Sequence, residues 1–403
     1  MGSVVRRTLD WATSPAAAKS LAEPVFRLAG RRPRQPVDLT RARRILVVRL
    51  DALGDVVLTT PLLRELRRTA PDAWITLVVD PAARNLVEQC PHINELLAYR
   101  HDVAGFAARS RQHARAFAFG CLRLGWRGFD WALCPRWGKD VYGATWLLYW
   151  SGAPVRAAYA QARFSSPTFP GASLDELLTH PLPGMDRRHE VQHNLDFLGA
   201  LGGTAKQDHL ELWLDQGDED FAGALLAEAG VERGELMIAL GPSARWPWKC
   251  WPLARYLELG ASLLERFHGR LLVVGGPAEA ECGQALRRQL GAGVVNAVGR
   301  ATLRQSAALL KRCRLFIGND SAPMHLAAAA GLRVVELCCH AQAGAWSRNS
   351  AERFHPWGPP HVALRPRTAR PPCRDECVAA AAHCILEITV AEAQAAVGAL
   401  FFP

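Results

Sequence analysis

Four short segments of this 403-residue chain place acidic, basic and hydroxylated residues just past runs of apolar residues. Asp55 follows Gly54 after the run Arg44–Leu50. A carboxylate there can take a proton from an attacking hydroxyl, and Gly54 lets the backbone turn tightly against a ligand. An Asp at a helix start also serves as an N-cap, and on position alone the cap is the stronger reading. Asp51 is the competing carboxylate. Lys249 follows the run Met237–Leu240. Its ammonium can hold a diphosphate and balance charge on a leaving group, although the commonest fate of a lysine is plain solvent. Ser243 is near enough to offer a hydroxyl to the same phosphates, and Arg245 is a further helper. Asp320-Ser321-Ala322-Pro323 marks a strand-to-helix turn, and the N–H groups at such a start form an anion site reinforced by the helix dipole. Ser321 and Ala322 are assigned to phosphate. Asp320 is assigned to sugar hydroxyls or to the cap. His325 lies one turn on from Ser321, on the same face, and either donates to a phosphate or is structural. Glu279, after Gly275-Gly276, can accept both hydroxyls of a ribose, with Glu281 as its substitute.

Residues so spaced need a scaffold that delivers strand after strand to one edge. Short apolar runs alternate with helical stretches, the pattern of βαβ units. Strands are predicted at Arg44–Leu50, Trp74–Val79, Asp130–Cys134, Met237–Leu240, Arg270–Val274, Leu315–Gly318 and Arg333–Leu337. Helices are predicted at Val56–Arg68, Gln192–Leu201, Pro252–Phe267, Leu303–Lys311 and Ser321–Gly331, and Trp146–Trp150 reads as the buried end of another. Arg163–Arg188, rich in Pro, Ser and Gly, reads as a linker. Asp208–Leu214 alternates and enters the second array. Two arrays joined by irregular chain predict two doubly wound domains with a cleft at the carboxyl ends of their strands. The expected division is a basic extension over residues 1–40, a first domain over 41–200 and a second over 201–403.

Composition sets the outer bounds. An apolar share of 49% with 21% charged residues suits globular α/β structure and argues against disorder. No apolar run reaches the ~18 residues that a bilayer span needs. The start has no apolar signal region, so a cytoplasmic location is expected. The formal net charge is +10. Much of it lies before residue 45, where ten basic residues face three acidic ones. Such an arm suits an anionic membrane surface or a nucleic acid, and a solvated tail is the favoured alternative. Without aromatic interleaving or a recognised module, nucleic acid ranks last. The 11 cysteines form no evenly spaced framework and read as reduced thiols.

Three segments resemble glycosyltransferase family 9, the ADP-heptose:lipopolysaccharide heptosyltransferases. They are Ile45-Leu-Val-Val-Arg-Leu-Asp-Ala-Leu-Gly-Asp-Val-Val-Leu-Thr-Thr-Pro61, Gly241-Pro-Ser-Ala-Arg-Trp-Pro-Trp-Lys-Cys-Trp-Pro252 and Phe316-Ile-Gly-Asn-Asp-Ser-Ala-Pro-Met-His325. The resemblance implies a GT-B fold: two Rossmann-like doubly wound domains facing a central cleft, the first binding acceptor and the second binding donor. It implies an inverting, metal-independent transfer of heptose from ADP-heptose to the lipopolysaccharide core, with no cofactor. The motif match turns the reading of Asp55 from cap to general base and that of His325 from structural to functional, and makes Lys249 the second catalytic residue. Ala322 stands where the third motif usually has Gly, and the arm before Arg41 is extra.

An anionic glycolipid acceptor needs cations on the first domain. Arg49, Arg136 and Lys139 are the candidates, with Gly54 beside them, and peripheral contact with the inner membrane surface fits the basic arm. Related readings keep the fold but change the donor, or put a protein or another surface glycan in place of the acceptor. A non-catalytic nucleotide-sugar-binding protein is a reading from another class, disfavoured by the presence of both Asp55 and Lys249. Cys373, Cys377 and Cys384 with His383 can form a metal knot. The spacing is not the paired Cys-x2-Cys form, so metal-free thiols are the favoured reading. Cys338 and Cys339 can join them in space.

Overall fold

The computed structural model describes residues 38–101, 106–161, 174–184, 187–343, 349–374 and 377–401. Most of the basic arm therefore lies outside the described residues. The chain falls into two compact units. One runs to Ala52 and takes in Pro61–Asp186 and Val191–Asp208; the other comprises Leu53–Thr60, Arg187–Glu190 and His209–Pro403.

The first unit is built on six strands, β1 (Arg44–Arg49), β2 (Trp74–Val79), β3 (Glu95–Ala98), β4 (Trp131–Cys134), β5 (Val155–Tyr159) and β6 (His180–Leu182). Their order is β3-β2-β1-β4-β5-β6, and every neighbour is parallel. Ile45, Leu46, Val47 and Val48 are wholly buried, which is why β1 reads as a continuous apolar run and not as an alternation. The helix Ala144–Trp150 is buried at every residue, as an all-round apolar helix must be.

The segment predicted as one helix over Val56–Arg68 is two, α1 (Leu53–Val57) and α2 (Thr60–Thr69). Pro61 has no N–H to continue the ladder. Two hydroxyls occupy carbonyls at the break: Thr59 Oγ1 donates to Asp55 O at 2.7 Å, and Thr60 Oγ1 to Val57 O at 2.8 Å. The predicted linker also needs correction. Its end supplies β6, three residues with Pro181 on a sheet edge, where a missing N–H is tolerated; residues 162–173 lie outside the described part. The alternating stretch Asp208–Leu214 forms no strand.

The second unit repeats the plan with β7 (Met237–Gly241), β8 (Arg270–Val273), β9 (Val294–Asn296), β10 (Leu315–Asn319), β11 (Arg333–Leu337) and β12 (His361–Leu364). All pairs are again parallel, in the order β12-β11-β10-β7-β8-β9. Counted from its own first strand, each sheet reads 3-2-1-4-5-6, the doubly wound order with its switch point between the first and fourth strands. The switch points are therefore β1/β4 and β7/β10. Helix α3 (Leu253–Phe267) buries Tyr256, Leu259 and Leu263 along one stripe. Helix α4 (Ala322–Ala329) follows β10, and α5 (Val390–Phe401) closes the chain. α4 is apolar and mostly buried; α5 sends Ala393, Val397 and Leu400 into the same core as Leu259 and Leu263 of α3.

Candidate active site

At the switch point of the second sheet, β7 leads to Ser243 and Lys249, and β10 leads to Asp320 and Ser321. Lys249 Nζ lies 2.5 Å from Asp320 Oδ2. Burial works against both charges, but each overrides it for the other. The ammonium is held above its ordinary value and the carboxyl below its own. Asn319, next to Asp320 in the chain, is fully buried. Asn319 Oδ1 accepts from Trp251 N at 3.0 Å, and the Tyr256 hydroxyl lies 3.2 Å from both Asn319 Oδ1 and Gly241 O. Trp251 Nε1 in turn donates to Ile388 O at 2.9 Å. The loop carrying Lys249 is thus tied to the ends of both switch-point strands. Trp246 stacks on Trp248 at 4.8 Å, and Arg245 lies over the Trp246 ring on the exposed side.

Ser321 is the N-cap residue of α4, but its hydroxyl donates to Asn319 O at 3.1 Å and makes no cap bond. Ala322 opens the helix and Pro323 follows, so the first turn presents its remaining N–H groups past the end of β10. His325 is buried, and burial pushes its imidazole down to about 4. It is therefore neutral at pH 7 and can donate or accept one hydrogen bond at each ring nitrogen. Its Cδ2 would lie 2.5 Å from a β-carbon built on Gly54. Gly54 and Asp55 thus belong to the second unit with α4, although they follow β1 in sequence. Asp55 is half-buried in the first turn of α1, and not at the cap position before it. An acid in a first turn still interacts favourably with the helix dipole.

Past β8, a β-carbon on Gly275 would stand 3.4 Å from both Ser243 Oγ and Glu279 Oε2. The hydroxyl and the carboxylate therefore flank one small backbone platform. Glu281 is exposed.

At the switch point of the first sheet the two arginines converge on Asp51. Arg49 Nε is 2.8 Å from Asp51 Oδ2, Arg136 Nη1 pairs with Asp51 Oδ1, and all but Arg136 are buried. Arg136 also donates from Nε to Lys139 O at 3.0 Å and lies over the Tyr142 ring. Asp51, the competing carboxylate, is thereby engaged by two guanidinium groups. Lys139 is half-buried beside them.

Two groups escaped the sequence reading. Glu336 on β11 is fully buried, and burial with Asp320 nearby raises its carboxyl well above the usual range, so it is neutral. His340, past the same strand, is pushed down to about 4 by burial. The one available signal was an acid inside an apolar strand, Arg333-Val-Val-Glu-Leu337.

Two separate doubly wound sheets, each with charged residues gathered past its switch point, define the GT-B class of glycosyltransferase fold. The sequence pattern of glycosyltransferase family 9 (heptosyltransferase) matches residues 139–382. The chain belongs to this family and is a glycosyltransferase. It is 25% identical over 295 residues to lipopolysaccharide heptosyltransferase 3 of Escherichia coli, covering 70% of this chain and 80% of the relative. In fold it is similar to a family 9 glycosyl transferase from Veillonella parvula, with a TM-score of 0.70 at 21% identity over 90% of this chain and 97% of that one. It is also similar to ADP-heptose lps heptosyltransferase II of E. coli, with a TM-score of 0.63 at 19% identity over 89% and 98%.

Proposed function

We propose that the protein transfers a heptose from ADP-heptose to a lipopolysaccharide core acceptor, with inversion and with no metal in the transfer step. The observation that carries this reading is the Lys249–Asp320 pair beside the start of α4. A diphosphate leaving group needs positive charge, and here an ammonium kept charged by its carboxylate stands next to a helix N-terminus. Asp320 holds Lys249 charged and oriented. Ser321, Ala322, Ser243 and His325 offer donors to the phosphates, and Glu279 accepts the ribose hydroxyls.

Asp55 is the general base. It takes the proton of the acceptor hydroxyl as that oxygen bonds the anomeric carbon on the face opposite the leaving ADP. One displacement breaks one bond and inverts the centre. Gly54 holds Asp55 against α4, while Arg49, Arg136 and Lys139 form the acceptor side, with the arginines fixed by Asp51. Peripheral attachment to the inner membrane surface through the basic arm follows from its charge. Among the described residues, no helix is long and apolar enough to cross a membrane.

A thermal-shift series with nucleotide sugars tests the donor. Ligand at 100 times its dissociation constant stabilises by about 2.7 kcal/mol, so ADP-heptose should raise the melting temperature and UDP- or GDP-sugars should not. Equal shifts from all three bases would remove the donor assignment.

A further inference from the structure

The segment after β12 contains little regular structure, yet it buttresses the active-site loop. Ile388 O receives Trp251 Nε1, and Leu386 O and Ile388 O both receive Arg255 Nη1. What organises this segment is a knot of sulfur and imidazole. Cys373 Sγ, His383 Nδ1 and Cys384 Sγ all lie within 4.8 Å of one another. Cys373 Sγ is 3.7 Å from His383 Nδ1, Cys384 Sγ is 3.5 Å from the same nitrogen, and Cys377 Sγ is 3.9 Å from Cys373 Sγ. Cys373 and Cys384 are buried, and every cysteine among the described residues is free.

We propose that Cys373, Cys377, His383 and Cys384 form a structural zinc site, with three thiolates and one imidazole as ligands. Tetrahedral zinc has Zn–S bonds of about 2.3 Å and Zn–N bonds of about 2.0–2.1 Å, which puts two sulfurs about 3.8 Å apart and a sulfur and a nitrogen about 3.6 Å apart. The contacts around Cys373 and His383 match those edges. The surroundings suit thiolates as well. Backbone N–H groups point at two of the sulfurs, Val378 N to Cys373 Sγ at 3.5 Å and Arg370 N to Cys384 Sγ at 3.4 Å. Such outer donors stabilise and orient metal-bound sulfur. Cys339, buried past the end of β11, lies close enough to Cys377 for the two thiols to interact and so joins the knot to the sheet. The spacing Cys-x3-Cys made metal-free thiols the favoured reading of the sequence, because His383, adjacent to Cys384, supplies the ligand that a second close cysteine pair would.

The zinc stands apart from the transfer chemistry. It clips the loop from Arg370 to Ile388 into place and so steadies Trp251 and the loop of Lys249. Full-length protein prepared without chelator should contain about one zinc per chain, and a metal-free sample should take up about one equivalent in competition with a chromogenic chelator. The double variant Cys373→Ser, Cys384→Ser should lose that uptake by at least about tenfold, the weakening that loss of even a supporting group brings. Cys121→Ser, which alters an exposed cysteine elsewhere, should keep it. Should the double variant fail to fold, cobalt added to the unaltered protein gives the same answer through thiolate-to-cobalt charge-transfer absorption. No tight zinc and no such absorption, or a disulfide between Cys373 and Cys377 in protein isolated under reducing conditions, would overturn the site. A stable zinc site with no donor binding would leave it standing and count against the proposed transfer alone.

Discussion

The imidazole of His325 occupies the space that a side chain at position 54 would need, with Cδ2 only 2.5 Å from the missing β-carbon of Gly54. Gly54 lies in helical chain, where Gly→Ala ordinarily gains about 0.5–1 kcal/mol. The clash reverses the sign, because overpacking a buried contact costs about 1–3 kcal/mol. Gly54→Ala should therefore lower the melting temperature, and adding His325→Ala should recover part of the loss. A stabilised single variant in thermal melts would show that the ring moves freely and that the contact carries nothing.

Removing the Lys249 ammonium leaves Asp320 as an uncompensated buried charge beside the proposed phosphate site. A hydrogen bond to a charged group contributes about 1.5–3 kcal/mol, so Lys249→Ala should weaken ADP binding about 10–100-fold in calorimetric titration. Asp320→Asn should weaken it less, since the cation remains. Unchanged ADP affinity in Lys249→Ala would end its phosphate role.

Acid should destabilise the second unit in a defined window. Burial pushes His189 down to about 3 and His325 and His340 to about 4. On unfolding below the ordinary histidine value of about 6.5, these imidazoles take up protons. The raised Glu336 opposes them by releasing one. Near pH 5 the unfolded state thus binds about two protons more, and stability rises with pH by roughly 2–3 kcal/mol per unit up to pH ~6.5; above that the histidines no longer contribute, and the raised Glu336 alone makes stability fall as pH climbs further. Denaturant melts across pH 4.5–7 measure this slope. His189→Gln keeps a donor toward His355 O and should flatten it by about one proton; an unchanged slope would mean that His189 titrates normally.

The legible parts of the chain were those with one cause. Trp74–Val79 and Arg333–Leu337 match β2 and β11 to the residue because Ile75, Leu77, Val78 and Val79 in the one, and Val334, Val335 and Leu337 in the other, give mostly apolar, β-branched stretches, as strands buried on both faces do. β5 was missed because Val-Arg-Ala-Ala-Tyr mixes a charge into five residues, and its Arg156 is buried by donating to Leu177 O and Ala153 O. Within the site, Lys249 and Asp320 were each singled out by motif. Their pairing was not, since 71 residues separate them and only the adjacency of β7 and β10 brings them together. The engagement of Asp51 by Arg136 was hidden in the same way, by an 85-residue separation that the pairing of β1 with β4 closes.

The central claim is that Asp55 removes the acceptor proton. Asp55→Asn keeps the size of the side chain and its place in the first turn of α1 but removes the basic oxygen. General base catalysis contributes about 10²–10⁴-fold. The measurement is single-turnover transfer from ADP-heptose to a core-oligosaccharide acceptor, with donor affinity and circular dichroism recorded alongside. The account predicts that transfer falls by about that factor while donor affinity changes little, because it assigns the donor to Lys249, Ser321 and Glu279. Transfer within a few-fold of the parent, in a variant with an unaltered spectrum, would contradict it and reduce Asp55 to a favourable charge at a helix start.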